Sequence, residues 1–335
     1  MSQSNDQPAT SNAADEERPD TPEQADSAQP KSPADEQPPV KMEDVITIDP
    51  ETTDVDLNHG RIGKIENLEP LVKLERKALY LRWNLIKKIE NLDHLTNLQE
   101  LELYDNQIEE LENLENLTSL EILDVSFNRL HKIKSLDQLT QLHKLYLCAN
   151  KISIIENLDA LTNLTMLELG DNRIRKIQNL DVLVNLTHLY LGKNKICKIE
   201  NLDKLVKLEC LSLQSNRIVK LENLDNLRNL TELYVSENGI EKLENLENNT
   251  LIETLDVAKN RIKVIENVAH LGNLEEFWLN DNSVSDWNCV KVLTDNKKLE
   301  TVYLERNPIA SDIAYRNKLK LAVPWLKKID ATLCR

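Results

Sequence analysis

The sequence predicts an α/β repeat protein, a curved solenoid whose inner face is a single parallel sheet. Three observations predict it. An asparagine recurs every 22 residues, at Asn84, Asn106, Asn128, Asn150, Asn172, Asn194, Asn216, Asn238, Asn260 and Asn282, nine intervals without an insertion. Leucine and isoleucine fill fixed positions around it, as in LYLRWNLIKKIENLDHLTNLQE followed by LELYDNQIEELENLENLTSLEI. The composition is 40% hydrophobic but holds only 2 Phe, 7 Tyr and 4 Trp, so the core must be aliphatic.

The unit L-x-x-L-x-L-x-x-N-x-I is the leucine-rich-repeat pattern, in which each repeat lays one short strand into a parallel sheet and returns along a convex segment. Twenty-two residues must hold a strand, two turns and the return. That leaves too little chain for a full helix, and short 3₁₀ segments are expected on the convex side. The leucines point inward, each contributing roughly 1.5–3 kcal/mol of burial. Stacking is obligatory because a lone repeat cannot cover its own apolar face. The asparagine sits where the strand turns away, so its amide is expected to satisfy backbone groups of that turn and of the next repeat.

Three segments follow along the chain. Residues 1–45 carry eleven acidic and three basic side chains, many prolines and no aromatic residue. They cannot bury enough apolar surface to offset ordering and are expected to form a disordered acidic tail. Thr21-Pro22 and Ser32-Pro33 in it suit proline-directed phosphorylation. Residues 46–306 form the solenoid, with an irregular first repeat in which Gly60 replaces Asn and two extra residues precede Leu79. Asn307 then follows Asn282 by 25 residues and opens a different segment, 307–335. Its Tyr315, Arg316, Pro324, Leu326, Ile329 and Asp330 stand in the order of a C-terminal leucine-rich-repeat cap. The last repeat needs such a cap to keep its core from water. Trp287 and Trp325 are expected to pack there.

Charge and motifs exclude several function classes. With 57 Asp and Glu against 41 Lys and Arg, the net charge is −16. This disfavours nonspecific nucleic-acid binding and favours a basic protein surface as partner. No stretch approaches the roughly 18 apolar residues of a membrane span, and the first thirty residues lack a secretory h-region. An intracellular protein with five reduced thiols, Cys148, Cys197, Cys210, Cys289 and Cys334, is expected. The six histidines, His59, His94, His131, His143, His188 and His270, have no metal-ligand spacing. No nucleophile elbow, Walker or dinucleotide motif occurs, so neither enzymatic chemistry nor a cofactor is expected. The N-L-T triplets at Asn116, Asn163, Asn185 and Asn229 are by-products of the repeat.

Strand alternation identifies the candidate binding surface. If the leucines of L-x-L point inward, the residue between them faces the concave side. That column runs Asp56, Tyr80, Glu102, Asp124, Tyr146, Glu168, Tyr190, Ser212, Tyr234, Asp256, Trp278, Tyr303. Six are aromatic, five acidic and none basic. Rigid aromatics on an open surface are binding anchors, and carboxylates between them select a basic partner. Glu100, Glu232, Glu276, Asn280 and Glu305 extend this surface, with Arg82 and Lys144 as exceptions. About twelve strands at roughly 4.8 Å spacing give an inner face on the order of 50 Å long, enough for a globular domain.

The 22-residue units with their I-E-N-L-D turn, the C-terminal cap and the acidic tail together resemble the leucine-rich-repeat regulatory subunits of protein phosphatase-1, over about residues 55–335. The resemblance implies that Asp124, Tyr146, Glu168, Tyr190, Asp256, Glu276, Trp278 and Tyr303 hold the phosphatase catalytic subunit. Tyr146 and Tyr190 stand where the resemblance leads one to expect Phe in vertebrate members, an exchange that keeps the ring and adds a hydroxyl. The short docking motif of many phosphatase-1 partners, a basic residue, Val or Ile, one spacer, then Phe or Trp, is absent, so binding would run through the concave face. The resemblance further implies control of the phosphatase's activity, maturation and localisation in nucleus and cytoplasm, with mitotic roles, and a ternary complex with an inhibitor subunit. The alternatives are a scaffold of a nuclear ribonucleoprotein or of a cytoskeletal assembly.

Overall fold

The computed structural model describes residues 54–68 and 78–334. The acidic tail expected over 1–45 and its two S/T-P sites lie outside the described residues.

Each repeat contributes three residues of strand. In chain order these are β1 (Asp54–Asp56), β2 (Ala78–Tyr80), β3 (Glu100–Glu102), β4 (Ile122–Asp124), β5 (Lys144–Tyr146), β6 (Met166–Glu168), β7 (His188–Tyr190), β8 (Cys210–Ser212), β9 (Glu232–Tyr234), β10 (Thr254–Asp256), β11 (Glu276–Trp278) and β12 (Thr301–Tyr303). Neighbours in sequence are neighbours in space, and all these pairings are parallel. Two short strands complete the sheet, β13 (Lys328–Ile329) parallel to β12 and β14 (Thr332–Leu333) antiparallel to β13. The central residue of each strand from β2 to β12 is fully buried, leucine at Leu101, Leu123, Leu145, Leu167 and Leu189 and valine at Val302. Phe277 fills the same place in β11. The result is the expected leucine-rich-repeat solenoid with an aliphatic core.

The convex returns differ from continuous 3₁₀ helix. They are tandem turns closed by i→i+3 bonds, Leu95 N to Leu92 O and Leu98 N to Leu95 O in one repeat, Leu161 N to Leu158 O and Leu164 N to Leu161 O in another. A buried leucine every third residue fixes each turn separately, giving the 3₁₀ hydrogen bond without a helical run. Among the described residues, 3₁₀ helices occur at Trp287–Asp295 and Pro308–Ser311 only. The first of these lies in the 25-residue interval between Asn282 and Asn307, where the lengthened return has room for it.

The asparagine ladder works, but its bonds run backward rather than to the next repeat. Asn172 Oδ1 accepts from Ile152 N at 2.9 Å, and its Nδ2 donates to Leu147 O at 2.9 Å and to Leu169 O at 3.1 Å. Two of these partners belong to the preceding repeat. The same geometry recurs from Asn84 to Asn307. A second ladder, at the turn into the convex side, was not anticipated. Asn91, Asn113, Asn157, Asn179, Asn201 and Asn223 adopt φ of 57–59°. Each donates to the isoleucine carbonyl one repeat earlier at 2.6–2.7 Å. Asparagine tolerates the left-handed region better than most residues. The N-L-T asparagines Asn163, Asn185 and Asn229 likewise donate to Thr140 O, Thr162 O and Val206 O.

The cap closes the sheet as expected. Helix α1 (Tyr315–Ala322) packs its buried Tyr315 and Leu319 against the end of the core. Asp330 takes the ladder's place at the last strand: its Oδ1 accepts from Leu304 N and Glu305 N, both at 2.9 Å, and from Tyr315 Oη at 3.1 Å. Trp287 lies 6.1 Å from Tyr315 and Trp325 Nε1 donates to Asn296 O, so both indoles are terminal packing.

Candidate functional site: the concave column

Strand register places the expected residues in line. Asp124 pairs across the ladder with Tyr146, Tyr146 with Glu168, and Glu168 with Tyr190. Further along, Asp256 pairs with Trp278 and Trp278 with Tyr303. The eight residues thus form two groups. Asp124, Tyr146, Glu168 and Tyr190 occupy consecutive strands β4–β7; Asp256, Glu276, Trp278 and Tyr303 occupy β10–β12. Ser212 and Tyr234 on β8 and β9 separate them, a gap of about 14 Å at ordinary strand spacing.

These side chains are less exposed than a lone strand would leave them. Tyr146, Glu168, Tyr190, Trp278 and Tyr303 are half-buried, because in-register neighbours stand close enough to shade one another. Asp256 is only 7% exposed. Its oxygens are already engaged, Oδ2 by Ser236 Oγ at 2.6 Å and Oδ1 by Ala258 N at 3.0 Å. Asp124 is similarly braced by Ser126 N at 2.8 Å. The carboxylates are therefore fixed before any partner arrives.

The C-terminal group is also preassembled. Trp278 and Tyr303 meet edge to face with centroids 5.8 Å apart, and Trp278 Nε1 donates to Glu276 Oε2 at 3.1 Å. Such an arrangement holds the indole in one orientation. The folded cap adds a cation that the column did not reveal: Lys328 Nζ stands 5.1 Å from the Tyr303 ring centroid. Near the other end, half-buried Arg82 pairs with the buried Glu102 carboxylate, which neutralises that carboxylate within the fold.

Electrostatics follow from this crowding. Burial holds the Asp124, Glu168 and Asp256 carboxyls above their ordinary values. Hydrogen bonds from Ser126, Ser236 and Ala258 oppose the shift for the two aspartates. Burial also raises the Tyr146, Tyr190 and Tyr234 hydroxyls, reinforced by nearby carboxylates. The Cys148 thiol is pushed up to about 12 by burial and by Glu168, and Cys210 to about 12 by burial and by Glu232. Both thiols stay protonated at neutral pH. Among the described residues no cluster of three or more His, Cys, Asp or Glu is placed to hold a metal ion, and no helix is long and apolar enough to cross a membrane.

A second aromatic group lies outside the column. His59 stacks on Trp83 at 4.4 Å, Trp83 meets Tyr104 at 5.6 Å and Tyr104 meets Phe127 at 4.8 Å. Trp83 and Phe127 hold φ of 55° at the strand exits and are 41% and 46% exposed. Bulky residues in the left-handed region are rare. The group is spread over two repeat positions, so no single column displays it.

Fold and face together define a leucine-rich-repeat solenoid with a rigid acidic and aromatic inner surface. Comparison with known proteins agrees. A leucine-rich-repeat family model matches residues 140–236, and a model of two leucine-rich-repeat copies matches residues 118–160. The chain is 57% identical over 65 residues to protein phosphatase 1 regulatory subunit 7 of Xenopus tropicalis, covering 19% of this chain and 18% of that protein. It is 60% identical over 57 residues to the Homo sapiens protein of the same name, covering 17% and 15%. The matched stretches thus span less than a fifth of these relatives' length. Among solved structures, an internalin of Listeria monocytogenes superposes with a TM-score of 0.68 at 25% identity, covering 85% of this chain and 88% of that one.

Proposed function

We propose that this chain is a noncatalytic regulatory subunit that grips the catalytic subunit of protein phosphatase-1 on its concave face. The observation that carries the proposal is the in-register column of carboxylates and aromatics, held in place by their own hydrogen bonds and ring contacts. The names of the relatives it matches in part, protein phosphatase 1 regulatory subunit 7, support this choice of partner. A basic face of the phosphatase would meet Asp124, Glu168 and Glu276, while Tyr146, Tyr190, Trp278 and Tyr303 supply rigid contact area. Asp256 contributes through its fixed negative field rather than through exposed surface. Control of the enzyme's maturation and location in nucleus and cytoplasm, and a ternary complex with an inhibitor subunit, belong to the same proposal.

The test is a titration of the full chain with the catalytic subunit, following complex formation and phosphatase activity together. Trp278→Ala is expected to cost at least about 2 kcal/mol of binding, and Glu276→Ala/Trp278→Ala more. Wild-type affinity in the folded double variant would remove the C-terminal group from the interface. No binding by wild type would reject the proposal.

A further inference from the structure

The flank where the strands turn out of the sheet has the opposite character to the rest of the molecule. Over five successive turns, residues 126–132, 148–154, 170–176, 192–198 and 214–220, the sequence reads SFNRLHK, CANKISI, GDNRIRK, GKNKICK and QSNRIVK. These turns hold eleven lysines and arginines and a single carboxylate, Asp171, in a chain of net charge −16. Asp171 is matched by Lys193 at 3.7 Å. Among the described residues, the other ten cations make no ion pair, whereas elsewhere Lys134 meets Glu110, Lys259 meets Glu237 and Arg306 meets Asp281. Apart from Asp171, carboxylates border the strip without entering it, Glu156, Glu200 and Glu222 on its convex side, Asp124 and Glu168 on its concave side, and Glu237 at its end, where it accepts from Ser215 Oγ at 2.6 Å.

Register makes the strip continuous. Arg129, Lys151, Arg173, Lys195 and Arg217 each follow a ladder asparagine, and their backbone N–H groups bond the preceding repeat's return at 2.8 Å, which locks the stacking of one turn on the next. The row therefore rises by about one strand spacing per cation, roughly 20 Å in all. Like charges stacked this closely repel, and an anionic partner relieves that repulsion. Between the cations stand exposed apolar side chains, Phe127 at 46%, Ile154 at 48% and Val219 at 62%.

We propose that this flank docks an extended acidic segment of a partner protein, one with apolar side chains among its carboxylates. Charge complementarity requires an anionic occupant. The apolar residues favour polypeptide over nucleic acid, because Phe127 supplies the one ring among these three exposed apolar side chains while Ile154 and Val219 supply none, and single-strand binding uses successive aromatic platforms. The surface is separate from the concave column, so both partners can bind together.

The experiment is a fluorescence-polarisation titration of the full chain with a labelled peptide of about twelve residues, long enough to span the strip, in which leucines are spaced among glutamates. Micromolar binding that weakens with salt is expected. Arg129→Gln/Arg173→Gln/Arg217→Gln should weaken it by about tenfold while leaving the phosphatase complex intact. Ile154→Ser/Val219→Ser should weaken this peptide but not an all-glutamate peptide of equal length. Circular dichroism confirms that each variant is folded. Undiminished binding by the arginine variant, no binding by wild type, or preference for a labelled oligothymidylate of similar length each overturns the proposal, the last by making the flank a nucleic-acid surface.

Discussion

Replacing Asn172 with alanine tests the asparagine ladder at mid-solenoid. Asn172 is 8% exposed and has no left-handed backbone to relax, since the positive φ belongs to Asp171. The lost bonds are not equal. Leu147 O keeps a second amide donor from Asn150 at 3.1 Å, and Leu169 O keeps one from Asn194 at 2.9 Å. Ile152 N has Asn172 Oδ1 alone. The penalty is thus dominated by one orphaned buried N–H, roughly 1–3 kcal/mol. With a urea m-value of about 3 kcal/mol/M, that lowers the unfolding midpoint by about 0.3–1 M. The thermal midpoint falls by about 2–4 °C per kcal/mol in a protein of this size. Because a solenoid's repeats are coupled only to their neighbours, weakening the joint between β5 and β6 should also broaden the transition. Urea unfolding followed by circular dichroism provides the assay. A midpoint within error of wild type would refute the claim that the ladder stabilises the stack.

At the cap, Asp330→Ala removes the acceptor of two backbone N–H groups and of the Tyr315 hydroxyl at a residue with φ of 52°. A loss of roughly 2–4 kcal/mol is expected, whereas Asp330→Asn, which keeps an acceptor and tolerates that φ, should lose less than half as much in the same unfolding assay. Ala149 holds φ of 51° and buried Ala258 does not. Ala149→Gly should therefore stabilise by up to about 1 kcal/mol while Ala258→Gly destabilises by about as much; equal effects would contradict the left-handed strand exit. Glu168 titrates above its ordinary value because folding buries its charge. Between the ordinary and the raised value the folded state binds more protons than the unfolded state, so stability falls as pH rises through that window. Glu168→Gln should be more stable than wild type at pH 7, with the difference vanishing below the ordinary carboxylate value; a difference independent of pH would exclude burial of charge as its cause.

The exact period made the fold legible. Once Asn84 to Asn282 fixed the register, the leucine positions, the parallel sheet and the membership of the concave column followed from strand alternation, and Tyr315 to Asp330 marked the cap. What the column could not display was how its members meet. Half-burial of Tyr146 and Glu168 arises from the strand spacing, the sequestered state of Asp256 from Ser236 one strand away, and the cation over Tyr303 from a cap that folds Lys328 beside it. The direction of the asparagine bonds needed coordinates too, since the sequence period is the same forward and backward. The basic flank was present in the sequence as N-R and N-K pairs, masked by a net charge that averages over surfaces with opposite signs.

The concave carboxylates place stability and binding in opposition. Burial raises Asp124, Glu168 and Asp256, so each costs the isolated fold some stability at neutral pH. A surface selected for folding alone would carry uncharged residues there, as Ser212 does in the same column. A basic partner reverses the sign, because a cation brought to the face lowers the pKa of each carboxylate it meets. The free energy lost on folding is then recovered on binding. The same carboxylates make the complex acid-sensitive at a pH above the ordinary carboxylate range. Glu168→Gln separates the two effects: it should strengthen the isolated chain and weaken the complex; an unweakened complex would show that Glu168 does not face the partner's charge, and an isolated chain no more stable than wild type would show that burying this charge costs the fold nothing.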